Sequence, residues 1–379
     1  MSIPHQCPSS PAAAAAPPLE DNDLLSEILL RLPPQPSSLP RASAVCNRWR
    51  GLVADPGFSR RFSRHHRRNP PPLIGFFGQG FRTIAFQPTM GHPNSIPPDL
   101  FSMPSDAPFR YRLLGCRHGL VLLSDLNMKQ VRVWDPVTGV QHGLAVPPGF
   151  RTVEFRIVGT VLRVFGDHFQ VLLAHSVKQQ QHTQALACIY SSETGLWSDL
   201  ISTLLASEDS TSSNHSMYFT RMPAVLVGDS LYWTLTGISH VILEFDLGSR
   251  SLAVIHLPVE FALCKPWDFT VMPAEGGGLG LIFKSDLTAQ LWKMNTNCDG
   301  VASWMLGRTI EVGKLLSLNS EEERNFLIRG VAEYNNVVFL STVKGLFMLQ
   351  LESLEFKTFS IPSMVDCYHS FETVYAAGI

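Results

Sequence analysis

From about residue 72 onward one short pattern returns six times at a nearly constant interval, which limits the fold more than any other feature of the chain. An apolar or aromatic residue followed by a polar one recurs as Phe86-Gln87, Trp134-Asp135, Tyr190-Ser191, Phe245-Asp246, Met294-Asn295 and Leu349-Gln350. The gaps between the second members are 48, 56, 55, 49 and 55 residues. Short β-branched and aromatic runs surround these anchors, cut by Gly, Asn, Asp and Pro. Val131 and Val133 alternate with Gln130 and Arg132, and Val241, Leu243 and Phe245 with His240 and Glu244, which is the period of a strand. Twelve positions after three of the anchors come Val146-Pro147, Leu257-Pro258 and Ile361-Pro362, and turn pairs stand at His118-Gly119, Asp229-Ser230 and Asn335-Asn336. A repeat near fifty residues is the length of a four-stranded propeller blade. Six anchors predict an all-β propeller of six blades over 72–379, or seven if one is degenerate. Two stacked β-sandwiches are the competing arrangement.

The amino-terminal part has a different period. Between Leu19 and Phe62, Leu25, Ile28, Leu29 and Leu32 follow i, i+3, i+4, i+7 spacing, which places them on one helical face. Ala42, Val45, Cys46, Trp49, Leu52 and Val53 repeat the pattern on a second stretch, and Phe58 with Phe62 allow a short third helix. Glu20, Asp21 and Asp23 put negative charge where the first helix begins, Pro33-Pro34 stops it, and Ser37-Ser38 offer capping oxygens for the next. About forty residues rarely build a self-sufficient core without a disulfide, a metal or a partner. The expectation is that the stripe of Leu25, Ile28, Leu29 and Leu32 is completed by another protein, a burial contributing roughly 6–12 kcal/mol before ordering costs.

Three blocks in this region carry a family resemblance. Leu24-Leu25-Ser26-Glu27-Ile28-Leu29-Leu30-Arg31-Leu32-Pro33, then Ala44-Val45-Cys46-Asn47-Arg48-Trp49-Arg50, then Asp55-Pro56-Gly57-Phe58 resemble an F-box. That motif attaches a substrate receptor to the Skp-type adaptor of a cullin ubiquitin ligase. The junction His65-His66-Arg67-Arg68-Asn69-Pro70-Pro71, followed by Leu73-Ile74-Gly75-Phe76-Phe77, resembles that of large plant F-box families, and the repeat region resembles their F-box-associated propellers. The resemblance implies an α+β multidomain protein: a small all-α F-box of about three helices over 19–62, then an all-β propeller over 72–379. An Ala/Pro-rich tail (1–18) precedes the F-box and a basic linker (63–71) follows it. Leu19, Leu24, Leu25, Ile28, Leu29, Leu32 and Pro33 are then the adaptor-binding residues. Leu39, Val45, Cys46 and Trp49 extend that surface or hold the helices together.

Composition narrows the function classes. Net charge is −2 over 379 residues, which argues against binding driven by phosphate neutralisation of nucleic acid. The seven cysteines stand singly, favouring reduced thiols in the cytosol or nucleus. No run approaches about 18 uninterrupted apolar residues, so no membrane span is expected.

Apparent chemical motifs have plainer readings. Glu275-Gly276-Gly277-Gly278-Leu279-Gly280 precedes a strand-like Leu281-Ile282-Phe283, so it reads as a hairpin instead of a phosphate loop. Trp134, Tyr190 and Phe245 share one repeat position and read as core. Glu321-Glu322-Glu323 reads as a loop, and Ser207–Ser216 as a candidate recognition loop or a disordered one. No histidine pairs at metal-ligand spacing, and no nucleophile elbow is present. The sequence therefore leads us to expect a non-catalytic receptor, without cofactor or metal, that binds a Skp-type adaptor, through it a cullin, and a target protein. A scaffold that binds the adaptor without ubiquitinating anything is the alternative.

Overall fold

The computed structural model describes residues 21–66, 69–80, 84–102, 111–125, 130–150, 157–164, 168–179, 182–207, 217–237, 239–258, 261, 264–296, 302–318, 325–361 and 365–376. The Ala/Pro-rich tail, Leu19, Arg67, Arg68, the stretch 208–216 and Glu321-Glu322-Glu323 lie outside those residues.

Four helices come first: α1 (Asn22–Leu30), α2 (Ser38–Ser43), α3 (Asn47–Ala54) and α4 (Pro56–His66). Asp21 caps α1, its Oδ1 accepting from the Asp23 and Leu24 amides at 2.8 and 3.3 Å. Asp55 closes α3 and opens α4, its Oδ2 accepting from Phe58 N at 2.8 Å, with Pro56 at the first helical position, where no amide proton is needed. The second apolar stretch is two helices, not one. Cys46 is extended between them, so the stripe from Ala42 to Val53 turns a corner. Ser37 precedes α2 but makes no side-chain cap. Its hydroxyl instead donates to Asn94 Oδ1 at 2.6 Å. The first part of the basic run, read from sequence as linker, is the last turn of α4.

The remainder is a six-bladed propeller of antiparallel sheets. β1 (Leu73–Gln79) and β2 (Ile84–Pro88) belong to the closing blade. The first full blade is β3 (Tyr111–Arg117), β4 (Leu120–Asp125), β5 (Gln130–Trp134) and β6 (Gln141–Ala145). The second is β7 (Val158–Arg163), β8 (Phe169–Gln179) and β9 (His182–Ser191), with β10 (Leu196–Trp197) and β11 (Ile201–Ser207) both paired to β9. The third has β12 (Tyr218–Phe219) and β13 (Val225–Val227) sharing the edge of β14 (Ser230–Thr236), then β15 (His240–Asp246) and β16 (Ser251–His256). The fourth is β17 (Phe269–Pro273), β18 (Leu279–Ser285), β19 (Thr288–Thr296) and β20 (Ala302–Ile310), followed by α5 (Val312–Leu315). The fifth is β21 (Leu327–Ala332), β22 (Val337–Thr342), β23 (Gly345–Gln350) and β24 (Phe356–Phe359), and β25 (Tyr368–Glu372) completes the ring by pairing with β1.

The sequence anchors all fall on one strand type: Phe86, Trp134, Tyr190, Phe245, Met294 and Leu349 lie on the third strands β2, β5, β9, β15, β19 and β23. The turn pairs join first strands to second, and the prolines follow fourth strands. The glycine run is the β17–β18 hairpin, where Gly276, Gly277 and Gly278 all have positive φ, a conformation cheap only for glycine.

Ring closure rests on β1. A bulge between Leu73 and Gly75 resets the alternation. Leu73 and Phe76 therefore join one seam, with Phe339, Phe359 and Tyr368. Ile74 and Phe77 join the next, with Phe86, Trp134 and Phe371. Gly75 is obligatory, because a Cβ there would enter the Phe86 ring.

The first strands surround an axis closed by one buried ion pair. Arg117, at the end of β3, donates from Nε to Glu333 Oε1 at 2.8 Å and from Nη2 to Oε2 at 2.6 Å. Its Nη1 donates to Thr160 Oγ1 on β7, and Nη2 also to Ala224 O beside β13. Glu333 accepts in addition from Leu226 N at 2.8 Å. Four blades thus meet on two side chains, both almost fully enclosed. Burial opposes the charge on Arg117, and Glu333 outweighs it, so the guanidinium pKa stays above its ordinary value. Replacing Arg117 with Met leaves a carboxylate buried and unpaired. The expected cost is about 3–5 kcal/mol of stability, read as a lowered denaturant midpoint.

Candidate functional site

The helical module has an inside and an outside. Leu25, Leu29 and Leu39 are 0, 1 and 0% exposed and pack with Leu30, Ala42, Val53, Phe58 and Phe62. Leu32 and Trp49 are half-buried at the margin of that cluster. The expectation that the stripe of Leu25, Ile28, Leu29 and Leu32 awaits a partner is therefore corrected for Leu25 and Leu29, which α4 helps to cover, while Ile28 stays outward. Phe62 and Phe58 fill the space against α1. Arg61 on the same helix pairs with Glu27 at 2.7 Å and donates to Ser26 Oγ, and His66 Nε2 meets Leu30 O at 3.0 Å.

The outward surface is a different set. Leu24 is 50% exposed, Ile28 40% and Val45 61%, and Pro33 and Cys46 are exposed as well. Leu24 and Ile28 are four apart on α1, so they form one ridge. Arg48 Nε donates to Asn22 Oδ1 at 2.8 Å, which brings the α2–α3 bend, with Val45 and Cys46, beside the first turn of α1. Of the eleven residues expected at the adaptor, five present themselves, five build or edge the core beneath, and Leu19 lies outside the described residues.

This module sits on the propeller face where the first strands end. Ser37 and Gln35 bond Asn94, Ser59 Oγ donates to Ala376 O at 3.3 Å, and Val374 and Ala376 pack against the helical core. Between α4 and the blades runs a groove lined by Arg60, Arg64, His66, His118, Tyr334 and Glu372. Glu372 lies at its floor. The carboxylate accepts from Tyr334 N at 3.1 Å, Asn335 Nδ2 at 2.6 Å and Ser370 Oγ at 3.1 Å. Burial first, and then the charge of Glu333, push its pKa up to about 7. Deeper in the channel burial pulls His369 down to about 3, with the charge of Arg112 adding to it. A raised carboxyl in a cleft is a common mark of function. Its partners here are a backbone amide, an amide side chain and a hydroxyl, an arrangement suited to tying β25 to the β21–β22 turn. Among the described residues no three His, Cys, Asp or Glu side chains converge as metal ligands.

A family profile described as F-box-like matches residues 22–65. One described as F-box protein AT5G49610-like, beta-propeller, matches residues 112–368. Comparison with curated proteins returns no match. Among solved structures, TolB from Acinetobacter baumannii is similar at 10% identity, over 83% of this chain and 70% of that one, with a TM-score of 0.39. A chain of the nidogen/laminin complex is similar at 10% identity, over 78% of this chain and 97% of that one, at 0.41.

The raised Glu372 pKa has a definite sign in stability. The folded state holds its proton more tightly than the unfolded chain, so stability falls as pH rises from about 4.5 to about 7. Glu372→Gln keeps the same partners and removes that titration. The variant is expected to overtake the wild type above pH 7, by on the order of 3 kcal/mol, and to lose the advantage near pH 4.5. Denaturant titrations at pH 5 and pH 8 measure the difference.

Proposed function

The chain belongs to the F-box protein AT5G49610-like β-propeller family, and from that premise we propose that it is the substrate-recognition subunit of a Skp–cullin–F-box ubiquitin ligase, in a plant. F-box domains generally bind Skp-type adaptors. The single observation that carries the reading is the apolar ridge of Leu24 and Ile28, left outward by a helical core that is complete without it. Each of these side chains is about half covered already, so full burial contributes about 1 kcal/mol or more apiece. Val45, Cys46 and Pro33 widen the surface, while Leu25, Leu29 and Leu39 hold its shape.

The division of labour follows from where the parts sit. The module occupies the propeller face where first strands end, and we assign the opposite face, where they begin, to the target. Loops on that face vary without disturbing the blades. Holding a target lysine near the ubiquitin-loaded enzyme raises its effective concentration, and the transfer chemistry belongs to other subunits. On this reading the chain is a non-catalytic receptor working in the cytoplasm, the nucleus or both.

The test separates the ridge from the core. Leu24→Asp with Ile28→Asp is expected to cut co-purification with a Skp-type adaptor at least tenfold while the melting temperature holds. Leu25→Ala instead costs about 2–5 kcal/mol and weakens binding only as the module unfolds. A folded Leu24/Ile28 double variant that binds the adaptor as well as the wild type overturns the assignment.

A further inference from the structure

Beyond β25 the chain passes between the helical module and the propeller, and its side chains alternate between the two bodies. Val374 and Ala376 pack on the core of Leu25, Leu29 and Phe62. Tyr375, between them, packs on the propeller seam of Ile74, Phe77 and Phe371. Residues 373–376 therefore form a two-sided strap. Its polar ties are Thr373 N, which donates to Pro72 O at 3.2 Å, and Ala376 O, which accepts from Ser59 Oγ at 3.3 Å. Backbone held by so few bonds opens at a lower free energy than the sheets beside it.

The strap starts at Glu372, whose surroundings tolerate only one of its two charge states. Its Oε1 accepts from Tyr334 N and Asn335 Nδ2, so the proton of the neutral carboxyl belongs on Oε2, facing Ser370 Oγ at 3.1 Å. Among the described residues all of its hydrogen-bond partners are neutral. Arg117 is committed elsewhere: its N–H groups go to both Glu333 oxygens, Thr160 Oγ1, Ala224 O and the Tyr334 hydroxyl, which is the whole donor set of a guanidinium. An ionised Glu372 would thus be a second carboxylate beside a cation already taken by Glu333. Other described groups around it do not relieve that charge. From β3 and its turn come the Cys116 thiol, whose pKa burial raises, and His118, engaged by Arg163 N and the Tyr334 hydroxyl. Burial keeps His369 neutral, Asp135 pairs with Arg163, and β1 carries no titratable side chain. On α4, Arg60, Arg64 and His66 line the other wall of the groove. With its pKa pushed up to about 7, by burial first and then by Glu333, Glu372 loses its proton as pH rises through neutrality. The ionised carboxylate gains water and the α4 arginines only by turning out into the groove, and that movement draws Thr373 off its seat.

We propose that residues 373–376 are a releasable strap, seated while Glu372 is protonated and lifted when it ionises, so that the seating of the helical module on the propeller responds to pH. The proposal stands on this junction alone and holds whether or not the module binds an adaptor. With the strap lifted, Val374 and Ala376 leave the helical core, and the module keeps the bonds of Gln35 and Ser37 to Asn94. The outward ridge of Leu24 and Ile28 then turns about that remaining contact.

The experiment follows amide hydrogen exchange of the full chain at pH 6 and pH 8, with exposure times scaled for the intrinsic rate. The amides to watch are Thr373 and Tyr334, which bond Pro72 O and the Glu372 carboxyl. Their protection is expected to fall at least fivefold from pH 6 to pH 8, and that of α4 to fall with them, while β14 and β15 keep theirs. Glu372→Gln retains the amide and hydroxyl partners and should show equal protection at both pH values. Glu372→Met, also uncharged, takes its place if the glutamine protein does not fold. Unchanged protection of Thr373 and Tyr334 in the wild type overturns the proposal, a result that needs no variant. So does an equal fall in β14 and β15, which would mean global loosening, or the same fall in a folded uncharged variant. A fall at Thr373 and Tyr334 that leaves α4 untouched overturns the link to the seating of the module.

Discussion

The Arg117–Glu333 pair is the constraint on which the rest of the propeller depends. Blades packed radially bury their apolar faces against one another, yet the strand ends nearest the axis bring many backbone groups into a space with little water. Arg117 and Glu333 satisfy carbonyl, hydroxyl and amide groups from separate blades at once. A charged pair so placed adds little to stability compared with a well-packed apolar core. What it contributes is registration: each blade must present the right atom at the right height for the pair to be complete.

The same end of the channel also governs the helical module. Glu372 accepts from Tyr334 N and Asn335 on one side, and Thr373 N, the next residue, bonds Pro72 O at 3.2 Å. Val374 and Ala376 then continue into the helical core. The axis, the closing strand and the module are therefore one continuous set of contacts. The orientation of the outward Leu24–Ile28 ridge is inherited from the propeller instead of being left to a flexible tether.

Much of this was legible in the sequence. The six anchors mark third strands because a strand that buries an apolar face and ends in a polar turn residue has the same demands in every blade. The helical core was also visible, but its direction was not. A stripe at i, i+3, i+4 announces burial without saying what covers it, and the cover here, α4, sits in a segment dominated by arginine and histidine. Its buried residues, Phe58 and Phe62, show in the sequence only as a pair at i, i+4, with nothing to match them to the three leucines and one isoleucine of the stripe. The Arg117–Glu333 pair was missed outright. A signal existed: Arg117 stands directly before the turn pair His118-Gly119, and Glu333-Tyr334 directly before Asn335-Asn336. Two opposite charges, each within two residues of the turn that follows a first strand, point to a meeting at the axis. Ser37 misled for the opposite reason, since a hydroxyl before a helix suits a cap as well as it suits a neighbour across space.

Closure by β1 and β25 bears on the order in which the protein is made. Almost three hundred residues separate the two strands, and domains emerge from the ribosome from the amino terminus onward. The helices can collapse while most blades are still untranslated, whereas the ring stays open until its last strand has been synthesised. During that interval the nascent polypeptide carries a folded helical head on an incomplete body, with β1 still lacking the strand that will pair with it. The outward ridge of Leu24 and Ile28 can thus be in place before the ring that will orient it has closed.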